Sequence, residues 1–202
     1  MDYQQRYKKI RLLVSRINKG RKKQAEKTDI LCNDLIAAQR EFIKRLNTIS
    51  FAANFYKSII GLANMGCLLS VAGKLIKNEI ANSNIVFFLR QQDTFEMYPA
   101  SSDSPNPVEG FFTAEVVEDI CRANKICHMD DIFAMGLQGN LTILNKVSAA
   151  TIPLGQFGRC IGFILIYRPC QTALADEELN RIYAVSPGLF CAIRACLVHS
   201  HT

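Results

Sequence analysis

From Tyr7 to Ile59 the chain contains no proline, and its apolar residues return at alternating steps of three and four: Tyr7, Ile10, Val14, Ile17, then Leu31, Leu35, Ala38, Phe42, Ile49, Ala52, Tyr56 and Ile59. That spacing is a heptad, and the element that keeps such a period over this length is a helix. In one register the stretch has sixteen a and d positions, of which twelve are apolar and four, Arg21, Gln24, Thr28 and Arg45, are polar. The seam is good at both ends and weak in the middle, near Gly20. An apolar seam needs an apolar partner, so the expectation is a parallel homodimer through Leu31, Leu35, Ala38, Phe42 and Ile49. Two extents stay open: a helix along the whole stretch, or a stable helix only from Asp29 to Ile60.

The same segment concentrates the charge. Residues 1–27 hold ten basic side chains against Asp2 and Glu26, a net +8, while the other 175 residues carry 14 basic and 16 acidic side chains, a net −2. A basic arm on a nearly neutral body attracts anionic surfaces by Coulomb attraction, and Lys8, Lys9, Arg21, Lys22 and Lys23 are its candidate contacts. An acidic protein surface, a membrane surface and nucleic acid are the partners considered. A solvated helix face is the plain alternative, because the arm carries no recognisable nucleic-acid motif.

At 49% hydrophobic and 21% charged, the 202 residues are those of a globular protein. The longest apolar run, Ile161 to Tyr167, has strand length and falls well short of a membrane span. The first residues lack the apolar middle of a secretory signal, which leads to the expectation of a cytoplasmic protein. Eight cysteines, at 32, 67, 121, 127, 160, 170, 191 and 196, form no C-x-x-C and read as reduced thiols that pack as small hydrophobes.

After Gly61, Asn64 and Gly66 a second helix is expected, with Leu68, Val71, Ala72, Leu75 and Ile76 on its core face. Ile85 to Arg90 and Thr94 to Tyr98 read as a hairpin around Gln92-Asp93, and Pro99 to Pro107 as a loop. Thr113 caps a helix to about Asn124, and a short strand follows at Lys125 to His128. Asp130 to Asn140 reads as a loop or helical turn; Thr142 to Lys146 fits helix or strand. Val147 to Pro153 and Arg159 to Arg168 form an apolar hairpin. Asp176-Glu177-Glu178 opens a last helix, which either bends at Pro187 or restarts at a Ser186 cap.

In Ser148-Ala149-Ala150-Thr151-Ile152-Pro153-Leu154 a strand ends Pro-Leu, and Gly158-Arg159-Cys160-Ile161-Gly162-Phe163-Ile164-Leu165-Ile166-Tyr167 supplies a glycine turn and an apolar return strand. This pair, with Asp176-Glu177-Glu178-Leu179 at the start of the last helix, resembles the closing hairpin and final helix of GAF domains, the small-molecule sensor modules of signalling proteins. Glu115 to Ile132 is similar to that family's middle helix, short strand and aspartate loop. The resemblance covers roughly Asn64 to Val198. It implies an α+β fold, a central antiparallel sheet flanked by helices, preceded by the long N-terminal coiled-coil helix. The expected organisation is a basic arm and coiled-coil helix at 1–62 and a GAF-like sensor domain at 63–202.

The resemblance also sorts chemistries. Cyclic-nucleotide-binding members carry an Asn-Lys pair after the last strand and a Phe four positions before an Asp-Glu pair. Here Tyr167, Arg168 and Thr172 stand where those residues would be, and only the acidic pair at Asp176 and Glu177 is present. Cys127-His128 lies too early for the pair that anchors bilin pigments. Members that reduce free methionine sulfoxide place a cysteine before the middle helix, and Pro99 to Ile120 contains none, so a thiol-dependent reductase is disfavoured and no enzyme is expected. His128, Asp130 and Asp131 are a weak metal trio, and no metal or cofactor is assigned.

The implied function is a non-catalytic sensory or regulatory module that binds a small ligand or a partner protein and signals through a dimeric helix. A pocket between the sheet and Phe111 to Leu144 would be lined by Phe87, Phe111, Met129, Phe133, Leu144 and Ala150, with Asp130 or Asp131 orienting the ligand. With no output segment after Thr202 in this sequence, a separate output protein is expected. The alternatives are a structural adaptor with a collapsed pocket, or an anionic-surface binder acting through the arm.

Overall fold

The structure, a computed structural model, describes residues 3–92, 94–100, 108–156 and 158–199. Helix α1 spans Tyr3–Ile59, the longer of the two extents read from the heptads. By packing, the chain divides into two compact units, Met1–Asn47 and Thr48–Thr202. That division falls before residue 62 because the last turns of α1 belong to the second unit's core, where Phe55 and Ile59 are buried and Phe51, Ala52 and Tyr56 pack beside them. In the first unit every described side chain of α1 is exposed.

In the second unit Asn64 caps helix α2, Met65–Glu79, its Oδ1 accepting from the Cys67 N–H at 2.9 Å. Strands β1, Asn84–Gln91, and β2, Thr94–Pro99, form the expected hairpin. Asp93, read from sequence as part of a turn, and residues 101–107 of the expected loop lie outside the described residues. Thr113 caps α3, Ala114–Ala123, and Asn124 ends it in the left-handed conformation that favours Asn at helix C-termini. Strand β3 is Cys127–His128, α4 is Met129–Ala134 and α5 is Leu141–Leu144, so the ambiguous stretch near Thr142 is a helical turn. Strands β4, Val147–Gln156, and β5, Arg159–Pro169, are the apolar hairpin. Helix α6 runs Asp176–His199 with Pro187 inside it, which decides for one element; the Ser186 hydroxyl donates back to Tyr183 O at 3.0 Å.

The five strands form one antiparallel sheet in the order β2-β1-β5-β4-β3. Both faces are buried, and strand alternation divides the core in two. Ile85, Phe87, Leu89, Ala150, Ile152, Leu154, Ile164 and Ile166 pack under α2, α6 and the end of α1. Val86, Phe88, Ala149, Phe163, Leu165 and Tyr167 face the segment from Val108 to Leu144. Helix α6 is long and apolar enough to cross a membrane by length and composition. Here its apolar stripe, Leu179, Ile182, Val185, Leu189, Ile193 and Cys196, is the cover of the first face.

Where β5 meets β1, Gly162 has φ +150° and lies opposite Leu89, so close to the neighbouring strand that an added Cβ would collide with Phe88 O. Gly162→Ala should therefore lower stability by about 3 kcal/mol, the sum of backbone strain and overpacking. Urea unfolding of the two chains measures this, and a loss below about 1 kcal/mol would show that the sheet relaxes around the new methyl.

Candidate functional site

The second sheet face, covered by the segment from Val108 to Leu144, is where the sequence reading places a ligand pocket. It is filled by the protein's own side chains. Phe88 and Phe163 stack with ring centroids 4.8 Å apart, and Phe112 tilts against them at 5.5 and 6.1 Å. Val116, Val117 and Ile120 of α3, Ile132 of α4, Leu137 and Leu144 close the layer. The ring of Phe111 lies on Gly139, where a Cβ would sit 2.6 Å from it. The one hydroxyl that β5 sends into this face is satisfied: Tyr167 Oη donates to Glu109 Oε1 at 2.8 Å, and burial and that hydrogen bond hold the phenol well above its usual range.

Of the eight expected lining residues, Phe111, Met129, Phe133 and Leu144 meet in this layer. Phe87 and Ala150 do not; they belong to the opposite face, under α2 and α6, and Phe88 and Ala149 take the inward positions. A strand buried on both faces is apolar in both phases, so alternation alone does not choose between Phe87 and Phe88. Asp130 is exposed. Asp131 is committed to structure: it accepts from the His128 N–H at 3.1 Å and from Lys125 Nζ at 3.0 Å, and these contacts, the lysine first, hold its carboxyl below the usual range. His128 Nε2 lies 3.5 Å from Asp176 Oδ1. Among the described residues no three His, Cys, Asp or Glu side chains converge to hold a metal.

The residues missed by sequence reading are Glu109, Phe112, Phe163 and Tyr167. Phe163 and Tyr167 share the phase of Leu165 on β5, and that common period was their only signal.

On α1, Leu31, Leu35, Ala38, Phe42 and Ile49 are all exposed, Leu35 at 70% and Phe42 at 61%. Ile36, Ile43 and Leu46, also exposed, add a second apolar row at neighbouring heptad positions. Lys8, Lys9, Lys22 and Lys23 occupy b and c positions, across the helix from the seam, whereas Arg21 stands in the seam itself.

No family model matches this sequence, and no curated protein matches it. Solved structures do. The GAF domain of a phosphoenolpyruvate-protein phosphotransferase from Coxiella burnetii superposes with a TM-score of 0.60 at 12% identity, covering 78% of this chain and 98% of that one. Its counterpart from Acinetobacter gives 0.57 at 9% identity over 77% and 98%. The fRMsr of Staphylococcus aureus, solved in complex with its substrate, gives 0.51 at 18% identity over 73% and 95%. At these identities the likeness is one of fold: the chain has a GAF-like α+β fold with a long N-terminal helix.

Proposed function

We propose that this chain is a non-catalytic regulatory module whose N-terminal helix pairs with that of a second copy and whose GAF-like unit is controlled by a partner protein. The observation that carries the reading is the exposed heptad stripe from Leu31 to Ile49. In a parallel pair each a and d side chain meets its own copy, so one apolar seam is its own complement. The packed second sheet face favours partner contact, in the manner of an adaptor with a collapsed pocket, over a resident small ligand. Binding a ligand there would require Phe88, Phe112 and Phe163 to part, and each ring buries a large apolar area. Native mass spectrometry of the purified chain tests both halves. A dimer mass with no added small molecule supports the reading, a monomer mass removes the helix pairing, and a stoichiometric small molecule replaces the adaptor with a ligand sensor.

The basic arm supplies the partner contact in this reading, and an acidic protein surface suits it best because the body carries a net −2 and offers little attraction of its own. Neutralising Lys8, Lys9, Lys22 and Lys23 should weaken partner capture and flatten its salt dependence, while the thermal transition of the second unit stays within about 2 °C. Pull-downs at two salt concentrations, with and without residues 1–27, check this. Equal recovery in all four would make the arm a solvated helix face; recovery on anionic vesicles or nucleic acid alone would reassign it.

A further inference from the structure

Two clefts open side by side on the exposed side of α6, and they differ in chemistry. The first, of about 460 Å³, lies between α6, the end of α1 and the turn after it, with Tyr56, Ile59, Ile60, Leu62 and Ala192 in its walls. The second, of about 660 Å³, lies between α6 and the end of the β4–β5 hairpin, with Gln156, Arg159, Phe190, Arg194 and Val198 in its walls. Ala195 lines both, so the clefts meet at a single methyl group. From Gly188 in the first to Val198 in the second is a helical rise of about 15 Å. Large apolar side chains stay open to solvent at the two ends, Ile60 at 77% and Val198 at 64%.

The second cleft is basic. The guanidinium carbon of Arg194 stands 5.7 Å from the centre of the Phe190 ring, which holds one cation at the cleft wall. Cys191 Sγ lies 3.9 Å from Gln156 Oε1, where α6 meets β4. Arg159 and Arg194 are exposed, and among the described residues neither has a carboxylate partner. No Asp or Glu lines either cleft. A twofold contact sets a patch against its own copy, and a patch with two cations and no anion is not its own complement. In the apolar cleft the polar side chains are already engaged, Tyr56 Oη donating to Ala184 O at 3.3 Å and Cys196 Sγ to Leu62 O at 3.4 Å. An extended peptide there would bring amide groups to walls with no side chain left to pair with them.

We propose that the joined clefts bind a single-chain amphiphilic anion, its carboxylate or phosphate head at Arg159 and Arg194 and its acyl tail along the apolar cleft toward Ile60. Mainly apolar walls with a few polar groups at one end are what such a ligand needs, and guanidinium pairs with either head group. The run of about 15 Å along α6 is close to the length of an extended dodecanoate. Full burial of one methylene tightens binding about fourfold, and a cleft open on one side supplies about half of that free energy, or about twofold per methylene. The site lies on the opposite side of the sheet from the packed second face. It goes beyond the adaptor reading and stands or falls independently of helix pairing and partner capture.

Cys191 is exposed in the basic cleft, so its alkylation reports occupancy; the exposed Cys67 and Cys170 line neither cleft and serve as controls. The test treats the reduced full chain with iodoacetamide at neutral pH, with and without dodecanoate below its micelle concentration, and maps the peptides by mass spectrometry. Saturating dodecanoate should slow Cys191 about fivefold or more and leave Cys67 and Cys170 unchanged. Decanoate should need about fourfold more for half protection, and octanoate about fourfold more again. Dodecyl phosphate acting at a lower concentration than dodecanoate would assign the head as phosphate, and at a higher one as carboxylate. Arg159→Gln with Arg194→Gln should raise the half-protecting concentration of dodecanoate about tenfold, and circular dichroism confirms that this variant folds. Protection by dodecanol equal to that by dodecanoate would remove the guanidiniums from the site, and equal protection by inorganic phosphate would remove the apolar cleft. Slowing at Cys67 and Cys170 as well would mean surfactant action. Each of these results overturns the proposal, as does unchanged protection in the folded double variant. A Cys191 that is unreactive before any addition and becomes reactive on dilution would seat a second copy in the clefts and overturn it too.

Discussion

Leu35→Asp combined with Phe42→Asp should turn a dimeric chain into monomers while leaving the GAF-like unit folded. Both residues stand at a positions, one heptad apart, and both are exposed, so in a parallel pair each replacement would set two carboxylates against each other in an apolar layer. Losing two large apolar pairs and introducing buried like charges together cost several kcal/mol, enough to move the association constant by about a thousandfold or more. Neither side chain belongs to the core of the second unit, whose α1 residues begin at Phe51. The thermal transition of that unit should therefore survive. Multi-angle light scattering of both chains at matched concentration gives the answer, and a wild type that is already monomeric, or a double variant that remains dimeric, contradicts the pairing.

The heptad stretch was the most legible part of the sequence because its signal is periodic over many turns and depends on nothing else in the chain. What the period did not reveal is where the stripe changes use. Ala52, Tyr56 and Ile59 continue the register, yet they face α2 and α6 of their own unit, and Gly188 leaves room for the Tyr56 ring. A heptad states that an apolar face exists and is silent on whether its cover comes from the same chain or another. The strands were legible for the same local reasons, namely branched and aromatic content between turn residues, and their hairpins form as expected. The site was less legible. Phe87 and Phe88 have identical local signals, and only the layers above and below the sheet separate them.

Glu178→Gln should lower stability at neutral pH by about 3 kcal/mol, the cost of leaving a buried guanidinium without its counter-charge. Arg168 sits near the end of β5 and is 8% exposed. Its Nη1 and Nη2 donate to Glu178 Oε1 and Oε2 at 3.1 and 2.6 Å, and Nη2 also donates to Ala173 O at 2.7 Å. Glu178 accepts in turn from the Ala175 N–H at 2.9 Å, so one carboxylate both caps α6 and anchors it to the sheet. Burial alone would raise the Glu178 carboxyl, but the Ala175 hydrogen bond and the Arg168 charge outweigh it and hold it below the usual carboxylate range. A carboxylate with a depressed folded-state value contributes fully above its unfolded value and loses that contribution as pH falls through the folded one. The stability gap between wild type and Glu178→Gln should therefore be constant from neutral pH to about pH 5 and shrink steadily below about pH 4. Replacing both partners, Arg168→Met with Glu178→Leu, removes the buried charge together with its partner and should cost less than Glu178→Gln alone. Urea unfolding between pH 7 and pH 3 separates the cases: a gap that is independent of pH, or a double variant less stable than the single one, would show that the pair acts through packing and not through its charges.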